Sequence, residues 1–234
     1  MAITIPLRHE LKFYINDMEY EVLHRVLSRL MRHDENCNEK NEYFIRSLYF
    51  DTEFNSALLD KLEGTKNRDK YRIRTYNYND QFIRMECKTK VGSLISKRSQ
   101  AIPKLLAEQI IAGDPTNLEK TRSGLLHDVF REMTLNRLHP VVIVDYTREA
   151  YIHPVEEVRI TFDKHLHTGL NSVDMFNPDT PTLPVFDHDE MILEVKFNRC
   201  LPPFIRDILC THVQSAQNSA ISKYVWCRRF ENFE

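Results

Sequence analysis

The sequence predicts an α+β fold, one domain over residues 1–234, with about eight strands joined mostly by antiparallel connections and five or six helices inserted. Two observations predict it. Segments such as Val158–Asp163 and Ile192–Phe197 alternate apolar and charged residues strictly. Arg159 and Asp163 therefore share one face of a strand and Val158, Ile160 and Phe162 the other, while Glu194 and Lys196 oppose Leu193, Val195 and Phe197. Between such segments lie stretches whose apolar residues recur at helical spacing, each with one stripe to bury. The polar strand faces are themselves unusual, because they carry Arg, Lys and Glu in place of Ser, Thr and Gln.

Taken in order, Leu7 to Ile15 reads as the first strand, with Arg8, Glu10 and Lys12 on one face. Asp17 is placed as the N-cap of a helix to about His33, striped by Leu23, Val26, Leu27 and Leu30. Tyr43 to Asp51 is an aromatic, β-branched strand. Asn55 to Leu62 is a short helix stopped at Gly64, with Lys61 in its last turn. Arg68, Lys70, Arg72 and Arg74 share one parity, and a polar turn over Asn77–Asp80 leads to Phe82–Lys90, where Glu86, Lys88 and Lys90 share a face. Leu94 to Ile102 is extended. Pro103 opens a helix to about Ala112, and a second helix is expected over Leu118–Arg137. Pro140–Tyr151 and Glu156–His165 form a hairpin, with the first strand covered on both sides at its start. Asn171–Pro184, with three prolines, is a long loop; Glu190–Asn198 is the last strand; Phe204–Val213 and Ser219–Phe230 are helices.

Composition narrows the function. A hydrophobic fraction of 42% and a charged fraction of 28% describe an ordinary globular chain. No apolar run approaches the ~18 residues of a membrane span, and the N-terminus lacks the pattern of a signal peptide. Five cysteines without a CxxC pair point to free thiols in a reducing compartment, so a cytoplasmic location is expected. A net charge of −2 argues against general nucleic-acid binding, yet it leaves room for a local basic cavity balanced by an acidic exterior. The five glycines lie far apart and build neither a dinucleotide fingerprint nor a P-loop. If phosphates are bound, side chains bind them.

On an open sheet the charged faces would be merely solvated. Closed into a barrel, they would line a lumen while the apolar faces met the helices, which satisfies both sets of stripes. A lumen so rich in Arg and Lys must hold an anion, because burying unpaired cations is very costly. Several cations with few carboxylates suit a phosphate chain and a divalent metal that shares its ligands between protein and phosphate.

Seven segments carry a family resemblance in order: Arg8-His9-Glu10-Leu11-Lys12, Ser47-Leu48-Tyr49-Phe50-Asp51, Lys70-Tyr71-Arg72-Ile73-Arg74, Glu86-Cys87-Lys88, Val158-Arg159-Ile160-Thr161-Phe162-Asp163, Leu193-Glu194-Val195-Lys196 and Ser222-Lys223-Tyr224. Over roughly Leu7 to Arg229 the chain resembles the polyphosphate polymerase domain of the vacuolar transporter chaperone family, a branch of the triphosphate tunnel metalloenzymes. The resemblance implies a closed antiparallel eight-stranded β tunnel barrel flanked by helices. It implies transfer of the γ-phosphoryl group of ATP onto a growing inorganic polyphosphate chain, with Mn²⁺ or Mg²⁺ as cofactor. By position, Lys12, Lys61, Arg72, Arg74, Lys88, Arg159 and Lys223 would be the basic phosphate ligands, with Arg72, Arg74 and Arg159 as the clamp, and Glu194 the metal ligand. The partners would be ATP and polyphosphate, without nucleic acid and without a membrane span in this chain. Hydrolytic members of the superfamily typically open with Glu-x-Glu-x-Lys; Arg8 stands at the first of those positions here, which fits the polymerase branch better. A triphosphatase and a non-catalytic polyphosphate-binding module are the alternatives. Because the attacking phosphate is already anionic, no nucleophilic Ser or Cys is expected.

Other features are read plainly. His165 with His167, and Asp187-His188-Asp189-Glu190, are surface loops and not metal sites. The cysteines are core or surface thiols, and Tyr49 and Phe50 are core. Lys97-Arg98 is either a tunnel rim or a solvated face. Asp163 and Lys196 share the charged faces without an assigned role.

Overall fold

In the computed structural model, which describes residues 7–186, 190–215 and 221–230, the charged and apolar faces of the strands sort to opposite sides of one curved sheet. The first half of the chain supplies β1 (His9–Ile15), α1 (Asp17–Leu30), β2 (Arg32–His33), β3 (Glu42–Asp51), α2 (Ser56–Leu62), β4 (Asn67–Tyr76), β5 (Asn79–Val91) and β6 (Leu94–Ile102). The second half supplies α3 (Lys104–Ile111), α4 (Gly124–Leu135), β7 (His139–His153), β8 (Val158–Thr168), β9 (Leu183–Pro184), β10 (Met191–Phe197), α5 (Pro203–His212) and α6 (Lys223–Arg228). The sheet runs β1-β10-β8-β7-β3-β4-β5-β6, antiparallel throughout, with β2 added to β7 and β9 to β8.

The eight-strand path matches the expected strand count, but hydrogen bonds do not close it into a barrel. Its edge strands β1 and β6 meet at one bridge, where the Arg8 N–H donates to the Ile95 carbonyl at 2.9 Å and the Ile95 N–H to the Arg8 carbonyl at 3.0 Å. Strand twist accumulates across a sheet, so the edges cross at that residue and no ladder extends from it.

The outer face is apolar and the helices cover it. Val158, Ile160, Phe162, Leu193, Val195 and Phe197 pack with Leu23 and Leu27 of α1 and with Ile205 and Leu209 of α5. Leu48, Phe50, Ile73, Met85 and Cys87 pack with Ala107 and Ile110 of α3 and with Val129 and Met133 of α4. The inner face is partly covered too: α6 sets Tyr224 and Cys227 against Ile45, Tyr49, Val144 and Tyr146. Among the described residues no helix is long and apolar enough to cross a membrane.

Local hydrogen bonding moves several element boundaries. The N-cap of α1 is Asn16, not Asp17, because the capping box needs a Glu three residues on. The Asn16 side chain accepts from the Glu19 N–H at 2.9 Å, and Glu19 accepts from the Asn16 N–H at 3.0 Å. α1 ends before His33 because Arg32 and His33 pair with Ile152 and Tyr151. α4 begins at Gly124, not Leu118. Asp114 takes the Thr116 N–H at 3.0 Å and Thr121 the Ser123 N–H at 3.3 Å, local bonds that compete with a helix. α6 is shorter than expected and starts after Ser222, whose hydroxyl accepts from the Val225 N–H; Ser219 and Ala220 lie outside the described residues. The long loop after β8 is anchored: the Asn177 carbonyl accepts from Arg46 at 2.6 Å and from Thr180 at 2.9 Å, and Met175 is buried.

Gly169, just past β8, lies so close to β7 that a Cβ there would stand 2.8 Å from the Ile143 Cβ. Gly169→Ala should therefore destabilise the protein by about 1–3 kcal/mol through overpacking, measured by urea unfolding.

Candidate functional site

The inner face encloses a cavity of ≈ 900 Å³ whose chemistry follows from strand parity. β4 contributes Arg68, Lys70, Arg72 and Arg74, and β5 contributes Arg84, Lys88 and Lys90. Lys97 of β6, Arg148 of β7, Arg159 of β8, Lys196 of β10, Lys12 of β1 and Arg8 just ahead of it add to these, with Lys61 of α2 and Lys223 of α6. Fifteen of the chain's 32 Lys and Arg residues thus line the cavity, against Glu10, Asp34 and Glu194 of its 34 acidic ones. A net charge of −2 had concealed this separation.

Glu86, Glu10, Glu194 and Asp163 each hold more than one cation. Glu86 stands opposite Arg72 in the β4–β5 register and accepts from its guanidinium at 2.8 and 2.7 Å. It also accepts from Lys97 at 2.8 Å and lies 3.7 Å from Arg74. Phenols and a hydroxyl complete the clamp: Arg72 donates to the Tyr49 hydroxyl at 2.7 Å, and Arg74 to the Ser47 and Tyr146 hydroxyls at 3.0 Å each. A second group forms where β1 and β10 pair Lys12 with Glu194 and Glu10 with Lys196. Lys12 lies 3.1 Å from Glu10 and 3.7 Å from Glu194; Lys88 donates to both Glu10 oxygens at 2.9 and 2.7 Å; Lys196 donates to Glu194. In a third, Asp163 accepts from Arg148 at 2.6 and 2.8 Å and pairs with Lys223.

The electrostatics follow from this arrangement. Burial alone would raise Glu86, but Arg72, Arg74 and Lys97 overturn it and hold the carboxyl well below its usual range. Glu194 behaves alike under Lys196, Lys12, Lys88 and Arg148. Asp163 is held at about 2, the burial effect being outweighed by Arg148 and Lys223. Three partly buried lysines go the other way. Burial pushes Lys88 down to about 7 despite Glu10, and burial with Arg68 beside it brings Lys61 to about 8. Lys70, which donates to the Ser222 hydroxyl at 3.2 Å and lies over the Tyr224 ring at 4.7 Å, is pushed well below the lysine range, first by burial and then by Lys88 and Lys12.

All eight residues singled out by the resemblance line this one cavity: Lys12, Lys61, Arg72, Arg74, Lys88, Arg159, Lys223 and Glu194. The structure does not, however, join Arg159 to the Arg72–Arg74 clamp. Arg159 pairs with Asp34 and donates to the Tyr43 hydroxyl at 2.9 Å, whereas Arg148, 5.3 Å over the Tyr146 ring, stands beside the phenol that Arg74 binds. Sequence reasoning missed Arg148 because it follows the apolar run Val141–Val144; its opposition to Asp163 across β7 and β8 was the usable signal. Glu10 and Glu86 were read as face residues without a role. Lys97 turns into the cavity and Arg98 turns out to Asp128 on α4, which divides that pair. Tyr49 is buried, as expected, but also lines the cavity; Phe50 is core.

For a metal, the relevant donors are Glu194 and Glu10, with Lys12 between them. Among the described residues no three His, Cys, Asp or Glu side chains gather as a metal cage. Two carboxylates fit a cation that draws its remaining ligands from phosphate oxygens and water. His165 and His167 lie on β8 and not in a surface loop, because the strand keeps pairing as far as Thr168; His165 is exposed, His167 contacts Thr182 at 3.1 Å, and Asp187–Asp189 lie outside the described residues. All five cysteines are free thiols.

Glu86→Ala should cost about 3–5 kcal/mol in urea unfolding, because three cations lose their common carboxylate. Added inorganic tripolyphosphate should restore part of that loss.

Solved structures share the fold at low identity. A protein from Hippeastrum, proposed as an adenylyl cyclase and found to have a dominant triphosphatase activity, is 15% identical with a TM-score of 0.58 over 95% of both chains. A proposed adenylate cyclase from Bacillus halodurans is 17% identical with a TM-score of 0.54 over 96% of this chain and 97% of that one. One from Vibrio parahaemolyticus is 10% identical with a TM-score of 0.52, over 95% and 98%. A search of the curated proteins finds no match. The VTC domain matches residues 7–230, nearly the whole described chain including every cavity residue named above, and the protein belongs to the VTC domain family.

Proposed function

We propose that this chain is a metal-dependent phosphotransferase that moves the γ-phosphoryl group of ATP onto a growing inorganic polyphosphate chain inside the basic cavity. The observation that carries this reading is the row Arg68, Lys70, Arg72 and Arg74 along β4, within a lining of fifteen cations and three acids. At about 3.3 Å per residue these four span roughly 20 Å in steps of roughly 6.6 Å. A single orthophosphate does not use such a row, whereas a chain of phosphates meets it along its length. Family membership and the likeness to triphosphate tunnel proteins support the same substrate class.

The roles follow from the contacts. Arg72, Arg74 and Arg148 are held by Glu86, Tyr49, Tyr146 and Asp163, so their donors are oriented before substrate arrives. Lys12, Lys88 and Lys61 supply charge along the path, Lys223 reaches in from α6, and Arg159 adds charge beside Asp34. Phosphoryl transfer asks mainly for positioning and charge neutralisation, and an anionic terminal phosphate needs no base to attack. Glu194, with Glu10 near it, would hold Mn²⁺ or Mg²⁺, which when bound would neutralise phosphate oxygens that the cations leave exposed.

Hydrolysis of a triphosphate is the second reading, favoured by the activity of the Hippeastrum neighbour. Arg8 speaks against it: at the position where hydrolytic tunnel enzymes typically carry a Glu, this chain has a cation, which pairs with Glu157.

Incubation with ATP and Mn²⁺ should give long phosphate polymers on a polyacrylamide gel. Arg72→Ala and Glu194→Ala should each lower the rate on the order of 10²-fold while the proteins still melt cooperatively. Release of orthophosphate without chain growth would replace this reading with hydrolysis. Burial brings Lys88 down to about 7 and Lys61 to about 8, and a bound polyanion would favour their charged forms. Affinity for tripolyphosphate should therefore fall as pH rises from 6 to 9. Calorimetry at pH 8 in buffers of different ionisation enthalpy should register proton uptake on binding.

A further inference from the structure

Among the described residues two buried side-chain polar atoms lack a hydrogen-bond partner, Nδ1 of His33 and Oγ1 of Thr161. The first has a place in the packing: the His33 ring lies 4.4 Å from that of Tyr151, which belongs to the outer cluster. Thr161 has no such account. It is 1% exposed and stands between Arg159 and Asp163 on the charged parity of β8, so its side chain shares the inner face. The ladders fix its neighbours. On one side it stands opposite Ala150 of β7, whose methyl offers no hydrogen bond. On the other it stands opposite Glu194 of β10, which in turn stands opposite Lys12 of β1. Residues paired in this way carry their Cβ atoms about 4.5–5.5 Å apart, within reach of a glutamate side chain. Valine has nearly the same outline as threonine and would fill this place without burying an unmade hydrogen bond. The hydroxyl calls for a partner that the substrate-free arrangement does not supply.

Glu194 is the neighbour able to provide one. An ionised carboxylate can accept at about four lone-pair sites. Among the described residues Glu194 accepts one hydrogen bond, from Lys196, while Lys12 stands off at 3.7 Å and Arg148 at 3.9 Å. We propose that Thr161 is the positioning residue of Glu194, its hydroxyl donating to that carboxylate when a polyanion draws Lys196 and Lys12 to itself. This rests on the metal-dependent phosphotransfer reading and adds a residue to the same site. The two kinds of donor differ in what they can do. A lysine ammonium ends a flexible four-carbon stem and can follow the nearest phosphate oxygen. The Thr161 hydroxyl is held to the strand by a β-branched side chain with a stiff χ1, and being neutral it does not compete for the anion. It holds one carboxylate oxygen to the sheet and leaves the other for a divalent cation. Thr161 thus orients the metal ligand without being one.

The test titrates Mn²⁺ into the full chain carrying one equivalent of a methylene-bridged tripolyphosphate, which cannot be cleaved, and reads free Mn²⁺ by electron paramagnetic resonance. Thr161→Val should weaken Mn²⁺ about tenfold, and Thr161→Ser should bind it as the wild type does. Metal-free binding of the analogue, measured by calorimetry in EDTA, should be the same in all three. In urea Thr161→Val should unfold no earlier than the wild type, because the free protein loses no bond. In a Glu194→Gln background Thr161→Val should weaken Mn²⁺ no further, since Thr161 acts only through that carboxylate. Unchanged Mn²⁺ affinity in Thr161→Val, no rescue by Thr161→Ser, or additive weakening with Glu194→Gln would overturn the assignment. Earlier unfolding of Thr161→Val would overturn it too, by giving the hydroxyl a bond in the free protein. If the wild type binds the analogue but no Mn²⁺, the metal role of Glu194 falls and takes this assignment with it. If it does not bind the analogue at all, the phosphotransfer reading itself falls.

Discussion

A cation enclosed by protein needs a partner, and the cavity satisfies that need with very few carboxylates. Glu86 answers to Arg72, Arg74 and Lys97; Glu194 answers to Lys12, Lys196 and Arg148; Asp163 answers to Arg148 and Lys223. Sharing one carboxylate among several cations fixes the side chains but does not cancel their charge. The surplus positive charge depresses the acids, while burial first, and neighbouring cations second, push Lys70 and Lys88 toward their neutral forms. A lining with this surplus of cations over carboxylates is the feature on which the proposed polyanionic substrate rests.

The architecture around the cavity serves that constraint. The apolar sides of β4, β5 and β8 turn outward, so the stripes of α1, α3, α4 and α5 bury them, while β3 and β7 also set apolar side chains inward under α6. Where α6 does reach inside, it brings Tyr224 and Cys227 for packing and Lys223 for charge. Tyrosine is well suited to this boundary. Tyr49 and Tyr146 sit in the inner cluster by their rings and receive guanidinium hydrogen bonds at their hydroxyls, joining packing to charge in one side chain. Asp51 does similar work at the edge: it accepts from the Ala57 and Leu58 N–H groups at 2.8 and 3.0 Å and from the Tyr224 hydroxyl, tying α2, with Lys61, to α6.

Much of the site could be read before the fold was seen, because parity on a strand is a local property. Arg72 and Arg74 had to share a face with Lys70, and Glu194 with Lys196. Arg148 escaped because parity says nothing about which neighbouring strand brings a partner. Its role rests on Asp163, fifteen residues on, and on Arg74 bonding the same Tyr146 whose ring it covers. Arg159 shows the converse. Its face was read correctly, yet Asp34 and Tyr43, more than a hundred residues earlier, hold it away from the Arg72–Arg74 clamp.

By itself the sequence determined which side of each strand is charged, that helices must cover the other side, and that phosphate binding could rest only on side chains. Spacing and side-chain type suffice for that. The tertiary structure decided how Val158–Asp163 and Ile192–Phe197 are used: Glu194 beside Lys12, Asp163 under Arg148 and Lys223, Lys196 on Glu194. It also decided that the sheet edges touch at Arg8 and Ile95 without a ladder. These outcomes depend on register, twist and long-range contact, which join residues far apart in the chain and leave no periodic signal in it.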